Sequence, residues 1–274
     1  MKKKRHKIRK RKIELLIKYF LFFICIGVII MFIKKNSDQT NHMSAASKCN
    51  SFIDEYKDIL SKNGTSKMKP SEFLIPFTGL SQATLPTGCE AVSTTAVLQY
   101  YNIKISTEMF IDKYLPCDTF YWKNNKRYGP DPHIFFAGSP YASDSLGCYP
   151  EVILKALRKM KTKGHPGIEE LTFETTIGTE LEDLVQDYLL NEIPVLIWVT
   201  INMLEPYDGY QYYLEDGTLY TWAAQEHCAV LCGYDEENYY LMDPMKNGEI
   251  IPYSKEIVEK RYEEIGKNSL VIYR

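Results

Sequence analysis

The chain has 274 residues, of which 45% are hydrophobic and 25% are charged, and this is the composition of an ordinary globular protein. Its formal net charge of −2 conceals an uneven distribution, because 12 of the 33 Lys and Arg residues lie in residues 1–35. Residues 36–274 therefore hold 21 basic and 34 acidic side chains, a net charge of −13. Such an acidic surface excludes nucleic acid as an expected partner.

The N-terminal residues have the pattern of a membrane anchor. Residues 1–12 contain nine Lys and Arg and predict a basic cytoplasmic tail, and residues 13–33 are long and apolar enough to span a bilayer as a transmembrane helix. A cleaved signal peptide would have the same basic start, but no small-residue cleavage site follows the apolar run closely. The positive-inside rule then places the rest of the chain outside the cytoplasm, with the tail near anionic lipid.

The remaining residues predict a linker followed by one α+β domain. We interpret residues 34–69 as a linker and stalk, and residues 70–274 as the domain itself. Helical patterns precede most of the strand patterns, which favours a sheet assembled largely from the C-terminal half. The predicted helices cover residues 88–101, 106–115, 150–162, 178–191 and 255–265, and the predicted strands cover residues 194–201, 218–223, 227–234, 239–243 and 270–273.

The cysteine spacings do not predict a metal centre. The seven cysteines form no C-x-x-C pair, and this spacing disfavours a zinc site. Outside the cytoplasm a disulfide between Cys117 and Cys148 is possible, but the sequence leaves it open. We expect no metal and no organic cofactor.

A cysteine at a predicted helix start is the first candidate catalytic residue. In "LPTGCEAVSTTAVLQYY", Thr87 and Glu90 have the spacing of a capping box, which would place Cys89 in the first turn of the helix. The unpaired N–H groups and positive dipole there favour a thiolate and predict a nucleophile with a lowered pKa. A small, packed, buried cysteine is the alternative.

A histidine and an aspartate on neighbouring strands could serve that cysteine. His227 begins an apolar strand, and Asp243 ends the next one before a proline. A three-residue loop at 234–236 would place the two directly opposite, and a loop at 235–237 would make them diagonal neighbours. Asp243 could then hold the Nδ1 proton of His227. Gln82 lies seven residues before the cysteine and could donate its amide to an oxyanion, or be a solvent-facing loop residue.

Three segments resemble the double-glycine-peptidase-like branch of the bacteriocin-leader-processing cysteine peptidases, within the papain-like clan. They are "IPFTGLSQATLPTGCEAVSTTAVLQYYNI", "GPDPHIFFAGSPYASDSLGCYPEVI", and the stretch from "PVLIWVTI" to "EHCAVLCGYDEENYYLMDP". The resemblance implies a papain-like fold with an N-terminal catalytic helix packed on a mostly antiparallel C-terminal sheet. It also implies that Cys89 is the nucleophile, His227 the base, Asp243 the orienting acid and Gln82 the oxyanion donor. Ser145 departs from the family, which often has glycine there.

These patterns together predict a membrane-anchored extracytoplasmic cysteine peptidase that cleaves a peptide or amide bond through an acyl-enzyme. Two alternatives remain open, namely an amidase or transpeptidase acting on cell-wall peptides and a non-catalytic surface binding module on the same fold. The expected partners are a peptide or cell-wall peptide substrate and membrane lipid, the latter through residues 13–33. The sequence identifies neither the scissile bond nor the oligomeric state.

Overall fold

The computed structural model describes residues 70–274, which form a mixed α+β fold with five α-helices and thirteen strands among those residues. The helices are α1 (Cys89–Tyr100), α2 (Thr107–Lys113), α3 (Pro150–Thr162), α4 (Leu181–Asp187) and α5 (Lys255–Glu264). The strands are β1 (Phe73–Leu74), β2 (Cys117–Asp118), β3 (Tyr121–Lys123), β4 (Lys126–Tyr128), β5 (Phe136–Ala137), β6 (Thr172–Thr175), β7 (Val195–Thr200), β8 (Tyr207–Tyr213), β9 (Leu219–Ala224), β10 (Glu226–Tyr234), β11 (Asn238–Asp243), β12 (Glu249–Ser254) and β13 (Ser269–Tyr273).

The predicted anchor, tail and linker lie outside the described residues. Within residues 70–274, none of the helices has the length and apolar character that a bilayer crossing requires. The membrane topology therefore stays a prediction.

The main sheet has strand order β12-β11-β10-β7-β13-β6, with β1 added beside β10, and its strands pair antiparallel. It is assembled chiefly from the C-terminal half of the chain, as predicted. β10 lies in its interior and is buried along its whole length, which explains the nearly continuous apolar run of its sequence.

Helices cover both faces of this sheet. On one face, Trp198 of β7 and Cys228 and Val230 of β10 pack in a common core with the apolar residues of α1 and α3. The alternate residues of the same strands, such as Val199 and Ala229, pack on the other face with residues from α4 and α5. α1 is attached to the sheet by a hydrogen bond of 3.0 Å from the Ser93 hydroxyl to the Cys228 carbonyl oxygen. The alternation of side chains along a strand thus separates two cores and fixes the helix against β10.

Several strands were not predicted. β12 contains Pro252, which normally argues against a strand, but β12 is the edge of the sheet and needs no hydrogen-bond donor on its outer side. β8 contains Gly209 and an irregular register with β9, so its alternation is interrupted. β8 and β9 join β3 and β4 in a separate four-stranded sheet.

The disulfide that the sequence left open is not formed. Cys117 is exposed and Cys148 is fully buried, and both are free thiols, as are Cys228 and Cys232.

Candidate active site

Gly88, rather than Thr87, caps the helix that carries the candidate nucleophile. α1 begins at Cys89, no side chain caps its N-terminus, and the Thr87 hydroxyl instead donates to the carbonyl oxygens of Ser139 and Ala142 at 3.2 and 3.1 Å. The predicted capping box is therefore wrong, because both of its side chains have partners in the segment before α3. Cys89 is nonetheless in the first turn of the helix, where backbone N–H groups have no partner within the helix.

The environment of Cys89 contradicts the predicted low pKa. The thiol is buried, with 7% of the residue exposed, and it donates a hydrogen bond of 3.2 Å to Glu90 Oε2. Burial, followed by the nearby carboxyl groups of Glu90 and Glu226, raises the pKa of this thiol well above its usual value. A hydrogen bond with the backbone of Cys228 opposes this change, and it places the sulfur beside the residue that follows His227. The helix dipole, which lowers the pKa of a thiol at this position, is a smaller effect here than burial and the two carboxyl groups, which raise it.

Two buried carboxyl groups flank the cysteine. Glu90 is fully buried, and its Oε1 accepts a hydrogen bond of 2.6 Å from the backbone N–H of Cys148. Burial raises the pKa of Glu90 to about 7, although that hydrogen bond opposes the change. Glu226, the first residue of β10, has only 8% of its surface exposed, and burial raises its pKa as well. Carboxyl oxygens of Glu90 and Glu226 and the Cys89 sulfur all lie within 4.8 Å of one another.

His227 and Asp243 form a buried hydrogen-bonded pair. The distance from His227 Nε2 to Asp243 Oδ1 is 2.8 Å, and both side chains are buried. Asp243 Oδ1 also accepts a hydrogen bond of 2.8 Å from the Met245 N–H. Burial by itself would raise the pKa of Asp243, but the hydrogen bond from His227 and the other donors lower it below its ordinary value. The contact involves Nε2 and not the predicted Nδ1. Nδ1 of His227 is therefore the nitrogen that can accept a proton.

A bulge in the hairpin determines how these two residues meet. The strands are joined by the three-residue loop 235–237, as one of the two predictions had it. The last pair, however, is Tyr234 with Tyr239, and the register shifts between Leu231 and Gly233. Beyond that bulge Val230 pairs with Met242, and the next step of the same register brings Asp243 diagonally beside His227. This is the diagonal arrangement predicted for a loop at 235–237, and the bulge, which was not predicted, restores that register after the offset Tyr234–Tyr239 pair.

Gln82 is buried close to the start of α1. Its backbone N–H donates to the Pro244 carbonyl oxygen at 3.0 Å, which ties this loop to the residue after Asp243. Its side-chain amide donates to the Leu85 carbonyl oxygen at 3.4 Å, and that carbonyl also accepts the N–H of Gly88 at 3.1 Å. The Gln82 Oε1 atom is buried without a hydrogen-bond partner among the described residues. The reading of Gln82 as a solvent-facing residue is therefore wrong.

The segment between β5 and α3 packs against the N-terminus of α1. Ser145, the departure from the family pattern, accepts a hydrogen bond of 2.8 Å from the Ser139 N–H and lies against Gly138, whose φ of +102° favours glycine. Gly147 passes so close to the acids that a Cβ atom there would lie 2.4 Å from Glu90 Oε1. This segment thus forms one wall of the site, beside the helix.

The structure brings all four predicted residues to one region, and it adds two that the sequence analysis missed. Glu90 was assigned to a helix cap, and Glu226 was not considered, although an acid directly before His227 in an otherwise apolar strand was a visible signal. Among residues 70–274 no hydrogen bond joins Cys89 to His227, because the thiol donates to Glu90. The site thus contains a thiol, a histidine held by an aspartate, and a neighbouring acidic pair.

Comparisons with known proteins identify the family to which this fold belongs. The profile of the peptidase C39-like family matches residues 74–270. A crystal structure of a protein from Bacillus anthracis, described as a C39-like peptidase, is similar with a TM-score of 0.61 and 20% identity, over 73% of this chain and 97% of that one. A double glycine motif protease from an AMS/PCAT transporter, solved in complex with a leader peptide, has 14% identity and a TM-score of 0.40 over 73% of this chain and 92% of that one. The second likeness is too distant to carry an argument, and no curated protein matches the chain in sequence.

Proposed function

Because the chain belongs to the peptidase C39-like family, and so to the peptide-bond hydrolases, we propose that Cys89 is its nucleophile and that His227 and Asp243 complete a catalytic triad. The observation that carries this proposal is the buried contact of 2.8 Å between His227 Nε2 and Asp243 Oδ1, together with a helix-start cysteine whose sulfur hydrogen-bonds the backbone of Cys228, the residue after His227.

The proposed reaction begins when the Cys89 thiol turns from Glu90 toward Nδ1 of His227. Since Nε2 donates to Asp243, Nδ1 has the lone pair that accepts the thiol proton. The thiolate attacks the carbonyl carbon, and the imidazolium returns the proton to the leaving amine. Water then releases the acyl group with His227 as the base, which restores the thiol.

We also propose that Gln82 stabilises the negative charge on the carbonyl oxygen during both steps. One of its amide hydrogens remains available beside the donation to Leu85, and the Cys89 N–H is the second donor. Donors that are fixed before the reaction need no rearrangement when the charge forms.

The location of the reaction follows from the N-terminal sequence. Residues 1–12 carry nine Lys and Arg, and residues 13–33 predict a single membrane span. We propose that the peptidase domain is anchored by this span and works on peptides outside the cytoplasm.

The test is hydrolysis of a fluorogenic peptide library by the full-length chain in detergent. We expect turnover by the wild type and by Cys117→Ala, a matched control at an exposed cysteine, and none by Cys89→Ala. Turnover that survives in Cys89→Ala, or is lost equally in Cys117→Ala, would refute the assignment of the nucleophile.

A further inference from the structure

The cluster of Cys89, Glu90 and Glu226 has a composition that the peptidase reaction does not require. A papain-like mechanism uses a thiol, an imidazole and an orienting group, and it assigns no step to two buried acids beside the sulfur. Burying carboxyl groups without a cationic partner is costly. No Lys, Arg or His within residues 70–274 forms a salt bridge with Glu90 or Glu226.

We infer that these three side chains form a binding site for a divalent cation of the zinc class. One sulfur and two carboxyl oxygens, all within 4.8 Å of one another, are the ligand types of a zinc centre. In a tetrahedral zinc site, bond lengths of about 2.3 Å to sulfur and about 2.1 Å to oxygen separate these ligands by roughly 3.6 Å. The distance of 3.2 Å from the Cys89 sulfur to Glu90 Oε2 is already close to that value.

An independent observation shows an acceptor without a donor in this cluster. Glu226 Oε1 is buried and has no hydrogen-bond partner among the described residues. Native proteins rarely leave a buried carboxyl oxygen without a partner, and a bound ion is one ordinary explanation. Because a carboxyl oxygen of Glu226 lies within 4.8 Å of both other ligand atoms, this side chain can reach the cation.

The surroundings hold Glu90 in the orientation that a ligand needs. Its Oε1 accepts the Cys148 N–H at 2.6 Å, so Oε2 is the oxygen left for the cation. The carbonyl oxygen of Cys148 in turn accepts a hydrogen bond of 2.8 Å from the Trp198 indole, which fixes the backbone on its other side. Such outer hydrogen bonds commonly orient metal ligands. Gly147 leaves free the space beside both acids that a side chain would fill.

The ligand set also predicts which cations bind. A thiolate favours zinc, cadmium or cobalt over magnesium or calcium, which prefer oxygen ligands only. Three protein ligands leave a fourth position for water. Since the cation would be coordinated by the sulfur of Cys89, it would act as a reversible inhibitor of peptide hydrolysis. That consequence rests on the proposed function, whereas the binding itself does not.

The test uses the full-length chain in detergent with Co²⁺ as a spectroscopic probe and Zn²⁺ as its competitor. We expect a thiolate-to-cobalt charge-transfer band that is absent in Cys89→Ala and is displaced by Zn²⁺ but not by Mg²⁺. In Glu226→Gln we expect the affinity to fall by at least about 10-fold. The matched control Glu236→Gln makes the same change at an exposed residue of the β10–β11 loop and should bind as the wild type does. Circular dichroism checks that each variant is folded.

Two results would overturn the site. One is cobalt binding without a thiolate band, and the other is a Glu226→Gln variant with wild-type affinity, which would place the cation between Cys89 and His227 instead. If the thiolate-to-cobalt band depends on Glu226 but the protein hydrolyses no peptide, the metal site is supported and the proposed peptidase function is refuted. The two proposals can therefore fail separately.

Discussion

The substitution Asp243→Asn tests how the aspartate acts on His227. Asp243 Oδ1 accepts hydrogen bonds from both His227 Nε2 and the Met245 N–H, each at 2.8 Å. An asparagine can keep its carbonyl oxygen toward these two donors and place its amide group where Oδ2 now meets the Tyr253 hydroxyl at 3.4 Å. The substitution should therefore preserve the tautomer of His227 and remove only the negative charge.

The magnitude follows from the difference between a charged and a neutral acceptor. Hydrogen bonds to charged groups contribute about 1.5–3 kcal/mol, against about 0.5–1.5 kcal/mol for neutral ones. A loss of about 1.4 kcal/mol in stabilising the imidazolium corresponds to about a 10-fold slower acylation. Asp243→Ala removes both hydrogen bonds and leaves two buried donors unpaired, so we expect a loss of about 100-fold or more together with a destabilised fold.

Acylation rates from single-turnover experiments on a fluorogenic peptide measure these effects, with urea unfolding to check stability. Asp216→Asn is a matched control, since it makes the same change at an exposed turn aspartate that accepts the Thr218 N–H. A loss of about 10⁴-fold in Asp243→Asn would refute the reasoning, because it would mean that the tautomer had changed. An unchanged rate would equally refute it, because Asp243 would then be a turn residue only.

Three further predictions follow from the same contacts. In Cys89→Ala we expect no turnover, because the nucleophile is removed. Turnover that remains in Cys89→Ala and falls further when Asp243→Asn is added would contradict the triad, since residues that act together are not additive. Gly147→Ala should cost about 1–3 kcal/mol in urea unfolding and reduce turnover, because its Cβ would meet Glu90. Gly217→Ala, with a φ of +88° and no atom within 4 Å of its Cβ, should also lose stability but leave turnover unchanged. Protease added to intact cells should remove the domain and leave the basic tail protected; a protected domain would reverse the proposed topology.

Much of the fold was predictable because periodicity and burial are local signals. All five helices and all five predicted strands lie where the sequence pattern indicated, with boundaries that differ by a few residues. The helix predicted over residues 178–191 is shorter, since α4 ends at Asp187 and a 3₁₀ turn follows. The missed strands are either very short, with two to four residues in β1 to β6, or interrupted in pattern, such as β12 with its proline.

The sequence predicted which residues form the site, but it did not predict the pKa of the cysteine. Cys89, His227 and Asp243 are marked by residue type and by position in their elements. The raised pKa of Cys89 is not marked in this way, because it depends first on burial in the folded core and then on Glu90 and Glu226. Glu226 is 137 positions away in the chain and is brought beside the helix by the pairing of β10 with β7. The register of the β10–β11 hairpin likewise depends on a bulge at Cys232, and no residue type in the sequence predicts that bulge.

The central claim is that Cys89 carries an acyl group during peptide hydrolysis. The most direct measurement is to quench the full-length chain in acid during turnover of a library-selected peptide and to locate the added acyl mass by peptide mapping. We predict a thioester on Cys89 that disappears when turnover ends and that forms more slowly in Asp243→Asn. An acyl group on Cys117 or Cys148, or hydrolysis with no acylated cysteine at any time, would contradict the account.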